Sequence, residues 1–268
     1  MSEPNIRLRK VPEFIASFLS WAGLAGRELN KSPLIPLVSY RGHADGDNWK
    51  LLPSLCRERT NMPVELLRQD EVDVVAEFRS RFDFRDWTDM EVMADAQHHG
   101  APTRLLDWTR NPFVGLWFAV ANADYDKCAG AVFQLSLLKH SSVVTAMTES
   151  PIKFVAGGDF ESQGKHPIHV FSSPPRVERT ERQGSVFSFA SFNGGYATKP
   201  LEEVLVTDES QPVRKFSVPS ELKSELRRLL SDLGLDAWSL YGGPDALGKS
   251  ITSRLWKSKI APVIATRT

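Results

Sequence analysis

The order of the periodic segments is the feature that most restricts the fold of this chain. Apolar residues recur at helical spacing over residues 12–30 and 63–82, and Thr88 with Glu91 fits a capping box for a third helix that reaches about His98. Extended segments follow in the middle of the chain, and helical patterns return near its end. Helices and strands that are grouped in this way, rather than alternating, predict an α+β fold in which helices flank a mostly antiparallel sheet within a single domain.

The remaining elements are predicted from shorter patterns. Strands are expected at 34–40, 129–138, about 168–170 and 185–192, a hairpin at 202–206 and 213–218, and further helices at 112–124, 219–233 and 247–257. Alternating charges over 175–182 are typical of a solvated edge strand. The long stretch 139–167 is interpreted as either a functional lid or a poorly ordered loop. We expect residues 1–32 to form an N-terminal helical segment and residues 33–268 to form the main domain.

Composition excludes several classes of protein. The 33 lysines and arginines balance 33 aspartates and glutamates, so bulk charge does not favour coating of nucleic acid or of an anionic membrane. The two cysteines, Cys56 and Cys128, are too few for a disulfide scaffold or a four-thiolate zinc site. The N-terminus has no signal-peptide pattern, and no apolar run approaches the roughly 18 residues of a membrane span. A cytoplasmic protein without a membrane partner is therefore expected.

An arginine at the end of the first predicted strand is the first candidate site residue. Arg41 presents a planar set of hydrogen-bond donors, and Gly42 beside it leaves the backbone open to a ligand. This arrangement suits two-point binding of a carboxylate or a phosphate. The alternative is that Arg41 forms an internal ion pair before a turn.

The segment 97–109 concentrates polar side chains between two predicted helices. Its candidate residues are Thr103, Arg104, Asp107 and Thr109. They would lie near the positive end of the helix that begins at Pro112, where an anion is stabilised. Asp107 could instead act as a cap or form a salt bridge with Arg104, and Thr109 could also be a cap.

Known catalytic and metal motifs narrow the chemistry further. His98 is a candidate general base, and the adjacent His99 would point about 100° away from it on a helix, so both cannot face one site. The chain has no His-Glu-x-x-His, Cys-x-x-Cys, Gly-x-Ser-x-Gly or phosphate-loop motif, so no metal is expected. Gln183 precedes Gly184 at the start of an apolar strand, where its amide could bond a ligand that approaches the backbone closely.

Several of these segments resemble the FRG domain family, which is named for a Phe/Tyr-Arg-Gly motif. The matching segments are 40–42 (YRG), 98–112 (HHGAPTRLLDWTRNP), 116–119 (LWFA), 182–187 (RQGSVF) and, with Tyr-Gly-Gly in place of a Phe-Pro run, 240–247 (LYGGPDAL). The resemblance covers roughly residues 30–250. It implies that the main domain, 33–268, is an FRG domain, and that relatives are mostly bacterial or phage-linked.

The chain also resembles ADP-ribosyltransferases, more weakly. In that fold an Arg-Gly pair at the end of the first strand grips NAD, a Ser/Thr-rich second strand and an aromatic helix shape the nicotinamide pocket, and a Glu or Gln on a third strand completes the site. The resemblance implies catalytic roles for Arg41, Asp107 and Gln183. It implies NAD contacts from Tyr40, Gly42, His98, Thr103, Arg104 and Thr109. Gln183 carries no charge, so Asp107, Glu178 or Glu181 would supply the carboxylate that an oxocarbenium needs.

The resulting hypothesis is an NAD-consuming enzyme of ADP-ribosyltransferase-like fold that acts as a toxin or phage-defence effector. NAD would be the substrate, and ADP-ribose would pass to a macromolecular acceptor or to water. Two alternatives stay open. One is a non-catalytic module that senses a nucleotide or a phage protein and in which an Arg41–Asp107 pair is structural. The other is a nuclease-like hydrolase that uses His98 and Asp107.

Overall fold

In the computed structural model, seven strands form one sheet at the centre of the protein. The structure describes residues 6–26, 38–136, 144–147, 154–158, 168–172, 178–205 and 212–260. The strands are β1 Val38–His43, β2 Leu105–Thr109, β3 Gly130–Ser136, β4 Val144–Met147, β5 Ile168–Ser172, β6 Ser185–Ala190 and β7 Val213–Val218. Their order in the sheet is β4-β5-β6-β2-β1-β3-β7, and every neighbouring pair is antiparallel except β4–β5.

Helices pack on both sides of this sheet. Among the described residues they are α1 Ile6–Gly26, α2 Val64–Arg81, α3 Asp89–His98, α4 Pro112–Val120, α5 Glu178–Gln183, α6 Leu201–Val204, α7 Lys223–Asp232, α8 Ala237–Tyr241 and α9 Gly243–Ile260. The predicted α+β fold, with a mostly antiparallel sheet flanked by helices, is confirmed. None of the described helices is long and apolar enough to cross a membrane. The division between residues 32 and 33 stays a prediction, since residues 27–37 lie outside the described chain.

Two predicted strands, the one at 202–206 and the edge strand before β6, are wrong. Both segments form short helices. Residues 201–204 form α6 rather than one arm of a hairpin. Pro200 precedes this helix, and Leu201 and Leu205, four residues apart, are both buried on one face. Residues 178–182 of the segment with alternating charges belong to α5, not to an edge strand, since alternation also places opposite charges at the i,i+4 spacing that suits a helix; residues 175–177 lie outside the described chain.

The other differences concern element boundaries. α1 begins at Ile6, so Pro12 lies inside the helix instead of near its start. The stretch 139–167 contributes β4, which pairs in parallel with β5, and a short described segment at 154–158. The remainder of that stretch lies outside the described residues. Thr88 and Glu91 form the predicted capping box at the start of α3.

The sheet has one continuous apolar face and one divided face. Leu106 and Trp108 of β2 pack into a core that extends across the continuous face to β3 and β5. On the opposite face, Tyr40 belongs to a core under α1, α4 and α7, whereas Leu105 belongs to a separate core under α2 and α3. Because side chains alternate along a strand, Asp107 and Thr109 share the face of Leu105. The boundary between the two cores therefore carries polar side chains, at the junction of β1 and β2.

Glycine 42 allows α4 to lie directly on β1. A Cβ atom at Gly42 would lie 2.0 Å from the carbonyl oxygen of Gly115 and 2.6 Å from the nitrogen of Ala119. Both are backbone atoms of α4, so neither can move aside as a flexible side chain would. This close approach fixes α4, and with it the ring of Phe118, beside the polar boundary.

We expect Gly42→Ala to destabilise the fold by about 3 kcal/mol, because the helix must move off the strand. Gly248→Ala is the matched control: it lies within α9 with open space around its Cβ position, so it should be neutral or stabilise by up to about 1 kcal/mol. Urea unfolding of the two variants measures the difference. Equal midpoints for Gly42→Ala and the wild type would contradict the packing described.

A buried ion pair joins α2 to the beginning of β2. Glu71 is 1% exposed and Arg104 is 0% exposed. Arg104 donates from Nε and Nη2 to the two carboxylate oxygens at 3.2 and 3.0 Å. The pair also binds the backbone of segment 154–158: the Gly157 nitrogen donates to Glu71 at 2.8 Å, and Arg104 donates to the Gly158 carbonyl at 2.7 Å. Each charge needs the other, because either one buried alone would be costly.

Glu71→Gln should therefore destabilise the protein by about 3–5 kcal/mol, since Arg104 would remain buried without a counter-charge. Glu77→Gln on the same helix provides the control, because its pair with Arg81 is largely exposed; this variant should unfold at nearly the wild-type denaturant concentration. The measurement is equilibrium unfolding by circular dichroism. Similar stabilities for the two variants would show that the buried pair is not structural.

Candidate functional site

The sheet is open between β1 and β2. These strands form a single residue pair, Tyr40 with Thr109, whereas β1 and β3 pair along their whole length. A cavity of about 150 Å³ lies at the opening. Its lining residues are Tyr40, Arg41, Gly42, Asp107, Trp108, Thr109, Phe118, Gln183 and Ser185. The fold thus brings three distant segments, around residues 41, 107 and 183, to one polar hollow.

Arg41 occupies the opening where the strand ladder is interrupted. Its Nη1 donates to the backbone carbonyl of Asp107 at 2.7 Å, and its Nε donates to Nε2 of His43 at 3.0 Å. The first bond gives the Asp107 carbonyl a side-chain partner across the opening between the strands. Burial lowers the pKa of Arg41 to about 10, and the nearby Asp107 carboxylate opposes that shift. The guanidinium therefore stays charged at neutral pH, and the rest of its N–H groups remain available to a ligand.

His43 holds Arg41 as a neutral imidazole. Burial first, and the charge of Arg41 second, lower the pKa of His43 to about 3. Nε2 accepts from Arg41, and Nδ1 lies 3.2 Å from the carbonyl oxygen of Trp49. These contacts fit the tautomer with the proton on Nδ1, which donates to Trp49 while Nε2 accepts. His43 is therefore a positioning residue for the guanidinium.

Asp107 lines the cavity, and its carboxylate forms no ion pair with a described residue. Its Oδ1 atom is buried and has no hydrogen-bond partner among the described residues. Within the described part of the chain, Asp107 does not form the alternative salt bridge with Arg104, because Arg104 is paired with Glu71. The hydrogen bond between Arg41 and Asp107 uses the Asp107 backbone carbonyl, not the carboxylate. A buried acceptor without a partner is costly in a folded protein and is common where a ligand supplies the missing donor.

Gln183 is positioned by bonds from both sides. The Thr109 hydroxyl donates to its backbone carbonyl at 2.6 Å, and its Nε2 donates to the carbonyl of Leu240 at 3.2 Å. Gly184 then turns the chain into β6 with a positive φ of 57°, a conformation that favours glycine. Because the amide nitrogen is used by Leu240 of α8, the amide oxygen of Gln183 is the atom that can accept from a ligand.

Three aromatic residues, Tyr40, Trp108 and Phe118, are among those that line the cavity. Tyr40 and Trp108 use their polar atoms elsewhere: the Tyr40 hydroxyl donates to the Ala22 carbonyl, and the Trp108 indole donates to Ser188. Phe118 packs edge-on against Tyr241 with ring centroids 6.2 Å apart. The cavity therefore combines flat apolar surface with one cation, one carboxylate and one amide.

Six of the nine residues predicted from the sequence line this cavity. They are Arg41, Asp107, Gln183, Tyr40, Gly42 and Thr109. Arg104 does not, because it is committed to Glu71 in the core. Thr103 donates its hydroxyl to Gln97 and accepts from the Leu105 nitrogen at 3.2 Å. His98 packs its ring 6.3 Å from that of Phe187. A role of Arg104, Thr103 and His98 in binding NAD stays a prediction; their contacts are those of residues that stabilise the fold.

Two titratable residues that interact with Arg41 were not predicted from the sequence. His43 directly follows the Arg-Gly pair, so its place on the strand was a usable signal. Arg57, beyond a 3₁₀ helix at Ser54–Cys56, interacts electrostatically with both Asp107 and Arg41. No pattern in the sequence links it to them. Glu181, a predicted alternative carboxylate, is exposed, and the side chain of Glu178 lies outside the described residues.

A second, larger cavity lies between α4, α7, α8 and α9. Its volume is about 500 Å³, and Trp117, Arg227 and Asp236 are among its lining residues. Arg227 is committed to Asp126, and Asp236 caps α8 by accepting from the Ser239 nitrogen. Arg227 and Asp236 are thus engaged in contacts that stabilise the fold, and Lys249 is a third charged residue of the lining. The smaller cavity, with its unpartnered carboxylate, is the better candidate site. Among the described residues, no group of three or more potential ligands could hold a metal ion.

The state of His43 predicts a pH dependence of stability. Its pKa of about 3 in the folded protein lies below the ordinary value of 6.5, so the unfolded chain binds the proton more tightly. Stability from this group is complete above about pH 6.5 and declines as the pH falls toward 3, with a slope of up to about 1.4 kcal/mol per unit. Unfolding of wild type and His43→Gln between pH 7 and 4 should show this slope in their difference. Parallel curves would contradict it.

Comparison with known proteins supports the family resemblance for one part of the chain. No curated protein and no solved structure matches the chain. Residues 37–128, about a third of the sequence, match the model of the FRG domain. The matched segment contains β1, β2 and α4, and therefore Arg41, Asp107 and Phe118 of the cavity. Gln183 lies outside it. Over these 92 residues the chain is similar to the FRG domain, and that segment supplies most of the candidate site.

Proposed function

We propose that the protein consumes NAD at the cavity between β1 and β2, as a transferase of ADP-ribose or as an NAD hydrolase. The observation that carries the proposal is the buried, unpartnered Oδ1 of Asp107 in the same small cavity as the guanidinium of Arg41. The Asp107 carboxylate can accept a hydrogen bond from a hydroxyl group, and the Arg41 guanidinium can donate hydrogen bonds to anionic oxygens. A ribose phosphate offers both partners in one molecule.

Arg41, Asp107 and Gln183 would each have a different role in breaking the glycosidic bond. Arg41 would donate to phosphate or ribose oxygens, and the aromatic wall would hold the nicotinamide ring. The bond between ribose C1′ and the nicotinamide nitrogen breaks, and nicotinamide leaves with the electron pair. Asp107, accepting from a ribose hydroxyl, would stabilise the positive charge that develops on the ribose ring. The amide oxygen of Gln183 would orient a second hydroxyl or the incoming nucleophile.

The second half of the reaction decides between transfer and hydrolysis. Water or a side chain of a macromolecular acceptor attacks C1′, and the proton of that nucleophile passes to solvent or to the Asp107 carboxylate. Either outcome would suit a toxin or a phage-defence effector, since both deplete NAD or modify a target. The weaker resemblance to ADP-ribosyltransferases supports this proposal through the order of Arg41, Asp107 and Gln183 along the chain.

The small size of the cavity favours one alternative. About 150 Å³ is below the usual range of roughly 300–1,000 Å³ for ligand pockets, so the site as it stands holds only part of a dinucleotide. A non-catalytic module that binds one end of a nucleotide would need no more space. Such a module would bind ADP-ribose without consuming NAD, and it would retain that binding when Asp107 is replaced.

Asp107→Asn tests the proposal directly. The substitution keeps the shape of the side chain and removes its charge, so nicotinamide release from NAD should fall at least about 100-fold. The melting temperature should stay the same or rise, because an unpartnered buried carboxylate is costly to the folded state. Asp232→Asn at the end of α7, an exposed carboxylate outside the cavity, controls for loss of charge. A well-folded wild type that neither binds nor consumes NAD would end the proposal.

A further inference from the structure

The larger cavity, between α4, α7, α8 and α9, has the size of a small-molecule site. Its volume of about 500 Å³ lies within the range of roughly 300–1,000 Å³ that is usual for ligand pockets, whereas the cavity between β1 and β2 falls below it. In the described part of the chain, the two cavities have no lining residue in common. The larger cavity is therefore a separate space that the proposed function does not use.

An aromatic corner forms part of this lining. Trp117 of α4 and Tyr241 of α8 both line the larger cavity, with ring centroids 5.6 Å apart and ring planes inclined at 67°. Two nearly perpendicular rings can give a planar ligand a stacked contact with one ring and an edge-to-face contact with the other. The same cluster continues to Phe118 of the smaller cavity, 5.1 Å from Trp117 and 6.2 Å from Tyr241, so the two cavities are neighbours.

Several hydrogen-bond donors of the larger cavity have no partner. Trp117 is only 7% exposed, yet its indole nitrogen forms no hydrogen bond with another described residue. Lys249 of α9 is exposed and forms neither an ion pair nor a hydrogen bond within the described chain. Asn122 accepts from the Asp124 nitrogen at 3.0 Å through its side-chain oxygen, and its amide nitrogen has no partner among those residues. A ligand that supplies acceptors would satisfy these donors, the buried indole above all.

The carboxylate and the second cation of this lining are already engaged. Asp236 accepts from the Ser239 nitrogen at 2.9 Å through one oxygen and from the Ser250 hydroxyl through the other. Arg227 is paired with Asp126 through both of its terminal nitrogens. Lys249 is therefore the charged group that remains available to a ligand, and it favours a ligand with a negative charge.

We propose that the larger cavity binds a small ligand that joins a planar ring to a negatively charged group. The ring would occupy the corner between Trp117 and Tyr241, and acceptor atoms of the ligand would take the donors of Trp117 and Asn122. The negatively charged group would pair with Lys249. Nucleotides and aromatic carboxylates share this chemistry. The inference goes beyond the proposed function and does not rest on it.

Isothermal titration calorimetry on the full chain tests the ligand class with AMP, indole-3-acetate, adenosine and inorganic phosphate. AMP and indole-3-acetate each join a planar ring to an anion, so at least one of them should bind wild type about tenfold more tightly than adenosine or phosphate does. The tighter of the two identifies a nucleotide or an aromatic carboxylate as the source. If neither binds, or if adenosine or phosphate binds as tightly as both, the inference is overturned.

Lys249→Gln tests the site itself. It removes the unpaired charge at an exposed position, so it should weaken the tighter-binding anion about tenfold and leave adenosine binding unchanged. Lys199→Gln is the matched control, because this exposed lysine lies just before α6, whose Leu201 packs in the core on the other face of the sheet. It should change each affinity less than about twofold. Unchanged anion affinity in Lys249→Gln, or equal losses in the two variants, would refute the site.

A cavity-filling variant gives a second measurement. Ser231→Phe adds a ring to the lining from α7, so it should weaken the same anion at least about tenfold. Ser224→Phe, at an exposed position of that helix, adds the same ring outside the cavity and should bind as wild type does. Thermal unfolding shows whether each variant is folded. Full affinity in a folded Ser231→Phe would overturn the inference; if that variant does not fold, Lys249→Gln decides.

NAD consumption separates this inference from the proposed function. Lys249 lies outside the smaller cavity, so Lys249→Gln should consume NAD as wild type does. If wild type consumes NAD but Lys249→Gln binds both anions as tightly as wild type, the proposed function stands and this inference is refuted. If wild type binds one anion through Lys249 but neither binds nor consumes NAD, this site stands and the proposed function is refuted.

Discussion

The site depends on one interrupted hydrogen-bond ladder. Where β1 and β2 separate beyond the Tyr40–Thr109 pair, the Asp107 carbonyl accepts from the Arg41 side chain, while Asp107 stays in register with Phe187 of β6 on its other side. A side chain thus bridges the gap between the two strands at the centre of the sheet. This bond gives the carbonyl a partner while leaving room for a cavity. It also holds a positive charge at the place where the carboxylate of Asp107 has no partner.

The surrounding fold stabilises this opening from several directions. His43, kept neutral by burial and by the charge of Arg41, accepts from Nε and fixes the orientation of the guanidinium. Gly42 lets α4 approach the strand closely enough to bring Phe118 to the cavity. Thr109 ties the end of β2 to Gln183, which in turn bonds α8. Each contact is unremarkable alone, and their convergence gives the cavity its chemistry.

The sequence predicts the fold class and the polar centre of the site better than it predicts the supporting residues. Arg41, Asp107 and Gln183 could be proposed because each is a polar residue in an unusual place. Arg41 and Gln183 each precede a glycine, and Asp107 lies within an otherwise apolar strand. Arg104 lies in the same polar segment, yet it is buried with Glu71. Of the apolar residues of α2, Leu67 and Val75 are buried but Leu66 and Val72 are 52% and 37% exposed, whereas the charged Glu71 lies on the buried face. Glu71 is buried because it pairs with Arg104, which lies far along the chain, so a local sequence pattern on α2 could not predict its burial. The interaction of Arg57 with Asp107 could not be predicted for the same reason, since the two residues are distant in the sequence.

A crystal structure of the wild-type protein with ADP-ribose bound would test the central claim, that the gap between β1 and β2 is a ligand site, most directly. The account predicts a ribose hydroxyl within hydrogen-bond distance of Asp107 Oδ1 and ligand oxygens on the free N–H groups of Arg41. Ligand bound at another surface, or an Arg41 guanidinium turned onto the Asp107 carboxylate with the gap closed, would contradict it.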